Sequence, residues 1–137
     1  MFRTDIALAL GKRSPLGRFG GGLKDVPLTE LSAQTARAAA AAAGLRLDQF
    51  DHFVYATTIP TDRDSLFAHR AVCVATGFPT ETSALGVVRA CGSGLQAIVS
   101  ASHQVMDGSS DVALAGGAEI FSRVPDVVTT ARWGHKR

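Results

Sequence analysis

Four short apolar runs alternate with helix-length stretches along this chain, and that rhythm limits the fold more than any single residue does. The runs lie at residues 5–10, 52–57, 83–88 and 111–115, and each is apolar enough to read as a buried strand. A helix between two strands of one sheet closes a parallel β-α-β unit with a right-handed crossover. The expectation is an α/β domain of β-α-β-α-β-α-β order with a mostly parallel sheet. Gly and Pro punctuate it: residues 13–22 break regular structure, and Thr29 is placed to cap a helix that Gly44 ends. A second helix is expected from Ser65 to about Gly77, and a third from just after Cys91 to about Asp107, stopped by Gly108. The alanine run 38–43 reads as a helix face packed closely on the sheet. After Ala118 the rhythm stops, and residues 124–137, with Pro125, Trp133, Gly134 and three basic residues, read as an unfinished connection.

Composition removes several functional classes. A chain of 137 residues makes one domain, and 46% hydrophobic with 19% charged residues is a globular balance. A net charge of +2 argues for neither nucleic acid nor an anionic membrane surface as a partner. No apolar run approaches the length of about 18 residues that a spanning helix needs. An acid, Asp5, precedes the first apolar run, which leads into Gly11-Lys12-Arg13, so the start does not read as a secretory signal. Cys73 and Cys91 give neither zinc-ligand spacing nor a disulfide framework, and a reducing cytoplasm is the expected compartment.

The local chemistry concentrates at Val87-Val-Arg-Ala-Cys91-Gly-Ser-Gly-Leu-Gln-Ala97. A cysteine that follows a buried strand and opens a helix meets the unpaired N–H groups and partial positive charge of the helix N-terminus, which favour a thiolate. The same N–H groups can hold the oxyanion of an acyl adduct, and Arg89 adds positive field. Gly92 and Gly94 let an extended substrate approach the backbone. Two other readings fit these residues: an inert cysteine buried in a tight turn, and a dinucleotide fingerprint G-x-G-x-x-A at 92–97 with Glu119 as ribose partner. Cys73, in the middle of a helix, reads as a packed core thiol. His103 lies 12 residues beyond Cys91 on one helix, roughly 18 Å away, too far to serve it as a base. His69 belongs to another helix, His52 opens a strand and His135 sits in the tail, so no Cys–His pair is legible.

Four segments, in order, resemble the thiolases, the family of acetyl-CoA acetyltransferases and 3-ketoacyl-CoA thiolases. Arg13-Ser-Pro-Leu-Gly-Arg-Phe-Gly-Gly21 is similar to the family's R-T-P-x-G-K/R-F-x-G. Phe67-Ala-His-Arg70 through Gly77-Phe-Pro79 resembles N-P-A-R…G-x-P. Cys91-Gly-Ser-Gly-Leu-Gln-Ala97 is similar to the block around the acyl-accepting cysteine, and Asp111 through Gly116-Gly117-Ala118-Glu119 to the strand and G-G-M-E turn that follow. The related decarboxylating ketoacyl synthases share the cysteine at a helix start, but the first and last segments favour thiolase.

The resemblance implies acyl transfer through an acyl-Cys91 thioester, by Claisen condensation or by thiolytic cleavage of 3-ketoacyl-CoA, with the Cys91 backbone N–H as an oxyanion donor. It implies no metal and no cofactor beyond coenzyme A thioesters as substrates. It also implies a homo-oligomer paired through Ser83 to Val88. On this basis residues 1–123 are a partial thiolase N-terminal domain lacking its last strand, and 124–137 the start of a CoA-covering loop region. The family's G-H-P and C-x-G-x-G motifs do not occur in the 137 residues, and Gly134-His135-Lys136 is not the former. Ala118 stands where methionine is common and Phe67 where asparagine is common. The expectation is a truncated thiolase, inactive alone. The alternatives are a non-catalytic module of the same fold that pairs with other subunits, and the dinucleotide-binding domain.

Overall fold

A computed structural model describes residues 5–61 and 63–134. Three parallel five-residue strands form one sheet: β1 (His52–Ala56) in the centre, β2 (Ser83–Val87) on one side and β3 (Ala113–Gly117) on the other. They start flush, with His52 opposite both Ser83 and Ala113. Helices α1 (Leu28–Ala42) and α2 (Ala68–Thr76) cover one face of the sheet, and α3 (Ser93–Asp107) covers the other.

Side-chain alternation along β1 builds this three-layer arrangement. Phe53 and Tyr55 point into a core with Leu28, Ala40, Val72 and Phe78, while Val54 and Ala56 point the other way onto Ala97 and Ala101 of α3. Phe53 and Val54 are essentially inaccessible, and burying side chains of this size is worth about 1.5–3 kcal/mol each. The one polar group that β1 sends into this core, the Tyr55 hydroxyl, is 2.7 Å from Ser32 Oγ. Small residues let α1 sit close: Ala36 and Ala40 are buried, whereas Ala38 and Ala41 of the same run face solvent.

Glycines end the helices where the sequence places them. Gly44 (φ +72°) closes α1, with Leu45 N–H bonding to Ala40 C=O and Gly44 N–H to Ala41 C=O. Gly77 and Gly108 also adopt the left-handed conformation, at the ends of α2 and α3.

Four expectations are corrected. Residues 5–10 form no strand; they are irregular and mostly exposed. A slot of about 750 Å³, lined by residues 5–14, by β3 and by α1 and α3 side chains such as Leu31, Ala36, Ile98 and Val105, lies along the unpaired edge of β3. A strand is held by a neighbour's backbone, and across this slot residues 5–10 have no ladder to join. The fourth apolar run pairs at Ala113–Gly117 instead of 111–115, because the Asp51 carboxylate takes the N–H groups of Asp111 (2.8 Å) and Val112 (3.4 Å) before the ladder begins. Thr29 lies inside the first turn of α1, since the extended Pro27 is the N-cap and its carbonyl accepts the first helical bond, from Leu31. Ser65 starts a 3₁₀ turn and caps no helix, because its Oγ accepts the Thr61 N–H at 2.8 Å.

Asp51 yields a pH prediction. Burial pushes its carboxyl up, but hydrogen bonds from Ser110 Oγ and from the Asp111 and Val112 N–H groups outweigh this and leave it below the usual carboxylate value. A depressed carboxyl contributes stability that is present above the ordinary carboxylate range and lost as pH falls through its folded value. Asp51→Asn is therefore expected to cost about 1 kcal/mol near neutrality. It should also flatten the acid limb of a urea-denaturation series run as a function of pH.

Candidate active site

All three strands run the same way, so the loops after β1, β2 and β3 emerge at one edge, the carboxyl edge where open α/β sheets bind ligands. The loop after β2 is short. Val88, Arg89, Ala90, Cys91 and Gly92 connect Val87 to the first residue of α3, Ser93. Cys91 is exposed on this loop, which excludes the buried inert cysteine.

The loop holds a strained conformation. Ala90, directly before Cys91, has φ +46°, and it is the one non-glycine residue with positive φ among those described. Ser93 locks the turn from inside: its buried hydroxyl donates to Ala90 C=O at 2.7 Å and accepts the Arg89 N–H at 2.6 Å. Backbone bonds from Gly92 N–H to Arg89 C=O and from Ser93 N–H to Ala90 C=O tighten it further. Strain of this kind persists only where the surroundings over-determine it, and it clusters at functional sites. Ala90→Gly should relieve the left-handed conformation and raise stability by up to about 1 kcal/mol, whereas Ala90→Val should lower it, as urea denaturation of the two variants would read.

The ground above the turn is open. A Cβ added at Gly94 meets no atom within 4 Å, and Leu95 is exposed. Arg89 does not point away into solvent alone: its guanidinium donates to Gln96 Oε1, one turn into α3, which keeps a positive charge beside the helix N-terminus.

The remaining candidates separate. Cys73 is 1% exposed inside α2, and burial pushes its thiol up, partly opposed by the neighbouring Arg70 guanidinium. His103 lies about three turns along α3, away from Cys91. His52 opens β1 at the opposite edge of the sheet. His135 lies outside the described residues. His69 is the histidine brought to the carboxyl half of the sheet: its Nδ1 would be 2.7 Å from a Cβ on Gly86 of β2. Glu119 is committed elsewhere than a ribose. Its carboxylate accepts the Thr58 N–H (2.8 Å), the Ile59 N–H (3.2 Å) and the Thr57 hydroxyl (3.4 Å), pinning the loop after β1 to the end of β3. Sequence reading missed the Ala90 strain, the role of Glu119 and the placement of His69. The pair Gly116-Gly117 before an acid was the available signal for the second, since glycines let two backbones approach. Among the described residues no three His, Cys, Asp or Glu side chains gather to hold a metal ion, and no helix is long and apolar enough to cross a membrane.

Comparison with known proteins gives the context of this geometry. Residues 6–137 match the profile described as the thiolase N-terminal domain. The chain is 42% identical over 130 residues to a beta-ketothiolase of Cupriavidus necator, covering 95% of this chain and 33% of that protein. It is 34% identical over 131 residues to the mitochondrial 3-ketoacyl-CoA thiolase of Homo sapiens, covering 96% and 33%. The crystal structure of the human mitochondrial 3-ketoacyl-CoA thiolase in complex with CoA superposes with a TM-score of 0.87 at 36% identity, over 91% of this chain and 32% of that one. The Bacillus anthracis acetyl-CoA acetyltransferase gives a TM-score of 0.84 at 35% identity, over 90% and 31%. The chain thus spans about a third of the length of the curated relatives it matches.

Proposed function

Because the chain belongs to the thiolase family, matching its N-terminal domain, we propose that it supplies the acyl-carrying part of a thiolase-type acyltransferase, with Cys91 as the nucleophile. The observation that carries this reading is the exposed Cys91 on a strained turn at the mouth of α3. The Cys91 thiolate attacks the carbonyl carbon of an acyl-CoA or 3-ketoacyl-CoA. The S–C bond forms while negative charge gathers on the carbonyl oxygen, for which this reading takes the Cys91 backbone N–H as a donor. Collapse breaks the bond to the leaving group: the CoA thiolate from an acyl-CoA or, in thiolysis, where the 3-keto carbon is attacked, the enolate of acetyl-CoA, which then takes a proton while the shortened acyl group stays on Cys91. Acyl-Cys91 is then attacked by a second thioester enolate or by CoA, and the Cys91 thiolate returns. The substrates are coenzyme A thioesters, and the reading calls on no further cofactor.

Residues 1–123 would be the N-terminal domain portion and 124–137 the start of the stretch over the CoA. The protons of the second half-reaction need a base and an acid. His103 and His52 lie away from Cys91, and the resemblance assigns these tasks to the G-H-P and C-x-G-x-G motifs, which do not occur in the 137 residues. The purified 137 residues are therefore expected to show no ketothiolase turnover with 3-ketoacyl-CoA and CoA. Sustained release of acyl-CoA, lost in Cys91→Ala, would overturn the assignment of a half-site. The two free thiols suit a reducing compartment such as the cytoplasm.

A second reading has its own observation. β2 is an edge strand whose Ser83, Leu85 and Gly86 are exposed, so Ser83 to Val88 offers unpaired backbone groups to another subunit. We assign homo-oligomer formation to this edge, and it would serve equally in a non-catalytic pairing module. Co-expression with a full-length thiolase subunit should yield a mixed oligomer that proline at Leu85 disrupts. Retrieval of the two chains separately would count against this edge.

A further inference from the structure

We infer that Ser93 is a positioning residue for acyl transfer: its hydroxyl holds the Ala90–Cys91 peptide so that the Cys91 N–H faces out of the turn, toward the oxygen that becomes charged. This rests on Cys91 being the acyl carrier. The Ala90 C=O and the Cys91 N–H belong to one planar trans peptide, so they point in opposite directions. Fixing one therefore aims the other. The carbonyl is fixed from inside the turn, where it accepts the Ser93 hydroxyl at 2.7 Å and the Ser93 N–H at 3.1 Å. Ser93 itself is 5% exposed, so these bonds lie within the molecule. The Cys91 N–H is turned the other way and has no hydrogen-bond acceptor among the described residues. It is a donor left open beside an exposed thiol.

The Ser93 hydroxyl works at both ends, accepting the Arg89 N–H at 2.6 Å while it donates to Ala90 C=O. It thereby bridges the chain across Ala90, whose φ of +46° is strained. A non-glycine residue in that region costs about what one buried hydrogen bond returns. Without the hydroxyl the strain is no longer balanced, and rotation of Ala90 toward negative φ carries the Cys91 N–H away from its direction. The helix mouth does not depend on the same bond. The Gln96 N–H closes the first turn of α3 on Gly92 C=O at 2.9 Å, and the Arg89 guanidinium is held separately by Gln96 Oε1. The positive field around the thiol therefore survives loss of the hydroxyl, so Ser93 acts on the donor and not on the nucleophile.

Two reactions at Cys91 separate these roles. Acetylation by p-nitrophenyl acetate forms an S–C bond, places charge on the carbonyl oxygen on the way, and expels p-nitrophenolate. Alkylation by iodoacetamide forms an S–C bond and expels iodide with no oxyanion. Both rates are read on the 137-residue chain by peptide mass spectrometry across a pH series, and each protein's acetylation rate is divided by its own alkylation rate. In Ser93→Ala this ratio should fall by on the order of tenfold or more, part of the roughly 100- to 1,000-fold that loss of an oxyanion donor costs. The pH profile of alkylation should not move. Ser93→Thr, which keeps a hydroxyl, should recover most of the ratio. The double variant Ala90→Gly, Ser93→Ala serves if the single variant fails to fold, and should keep the low ratio. A lowered Tm with an unchanged ratio would reduce Ser93 to a structural brace and overturn the inference. A displaced alkylation profile with an unchanged ratio would put Ser93 to work on the charge of the thiol, and would overturn it equally. A wild-type Cys91 that iodoacetamide alkylates, but that is acetylated no faster than in the urea-unfolded chain, would instead refute the acyl-carrier reading on which the inference rests.

Discussion

Gly117→Ala is expected to lower the thermal midpoint by roughly 5–10 °C, while Gly116→Ala, one residue away on the same strand, changes it little. A Cβ on Gly117 would lie 2.5 Å from the Ala56 carbonyl oxygen and 2.8 Å from the Ala56 Cβ, the residue paired with it across the sheet. The oxygen is backbone and cannot swing aside, so β1 and β3 must part at their carboxyl ends. Overpacking of this kind costs about 1–3 kcal/mol. A Cβ on Gly116 meets nothing within 4 Å. The displaced region also carries the Ala118 N–H bond to Ala56 C=O and, one residue further, Glu119. Gly117→Ala should therefore loosen the loop after β1 as well as the sheet. Thermal unfolding of the two variants side by side separates this account from a general intolerance of β3 to alanine.

The second large effect concerns the two thiols. With limiting iodoacetamide near neutral pH, Cys91 should be alkylated on the order of 100-fold faster than Cys73. Cys91 is exposed at the start of α3, whereas Cys73 is packed against Val72 and its neighbours in the α1/α2 layer. Reaction at Cys73 requires local opening of that layer, and burial raises its thiol further from the reactive form. Unfolding in urea should erase the difference, which would show that it belongs to the fold and not to the flanking sequence. Comparable rates in the folded chain would mean that α2 opens readily, or that the turn hides Cys91.

Most of the architecture was legible because its signals are local. Within the run 52–57 the four consecutive positions Phe53 to Ala56 are apolar, and they became the buried part of the central strand, with both faces covered. Gly44, Gly77 and Gly108 marked three helix ends because only a residue without Cβ takes those backbone angles freely. What escaped the sequence depends on partners. Residues 5–10 are as apolar as a strand should be, yet a strand exists only beside another, and the edge of β3 stands across an open slot. The register of β3 slipped by two residues because a carboxylate at position 51, some 60 residues earlier, takes two of its N–H groups. The site divides in the same way. The exposed cysteine between a strand and a helix could be read from Cys91-Gly-Ser-Gly, but the left-handed Ala90, the Ser93 lock and the Glu119 anchor are long-range or conformational facts. Glu119 in particular was assigned a ligand in one reading, when its three bonds go to the chain itself.

The most direct measurement is to incubate the chain with excess acetyl-CoA, quench in acid, digest, and locate any acetyl thioester by mass spectrometry. The acetyl group is predicted on the peptide containing Cys91, labile to hydroxylamine and missing in Cys91→Ala. An unmodified Cys91 in a chain whose Cys91 still reacts with iodoacetamide would contradict its assignment as the acyl carrier.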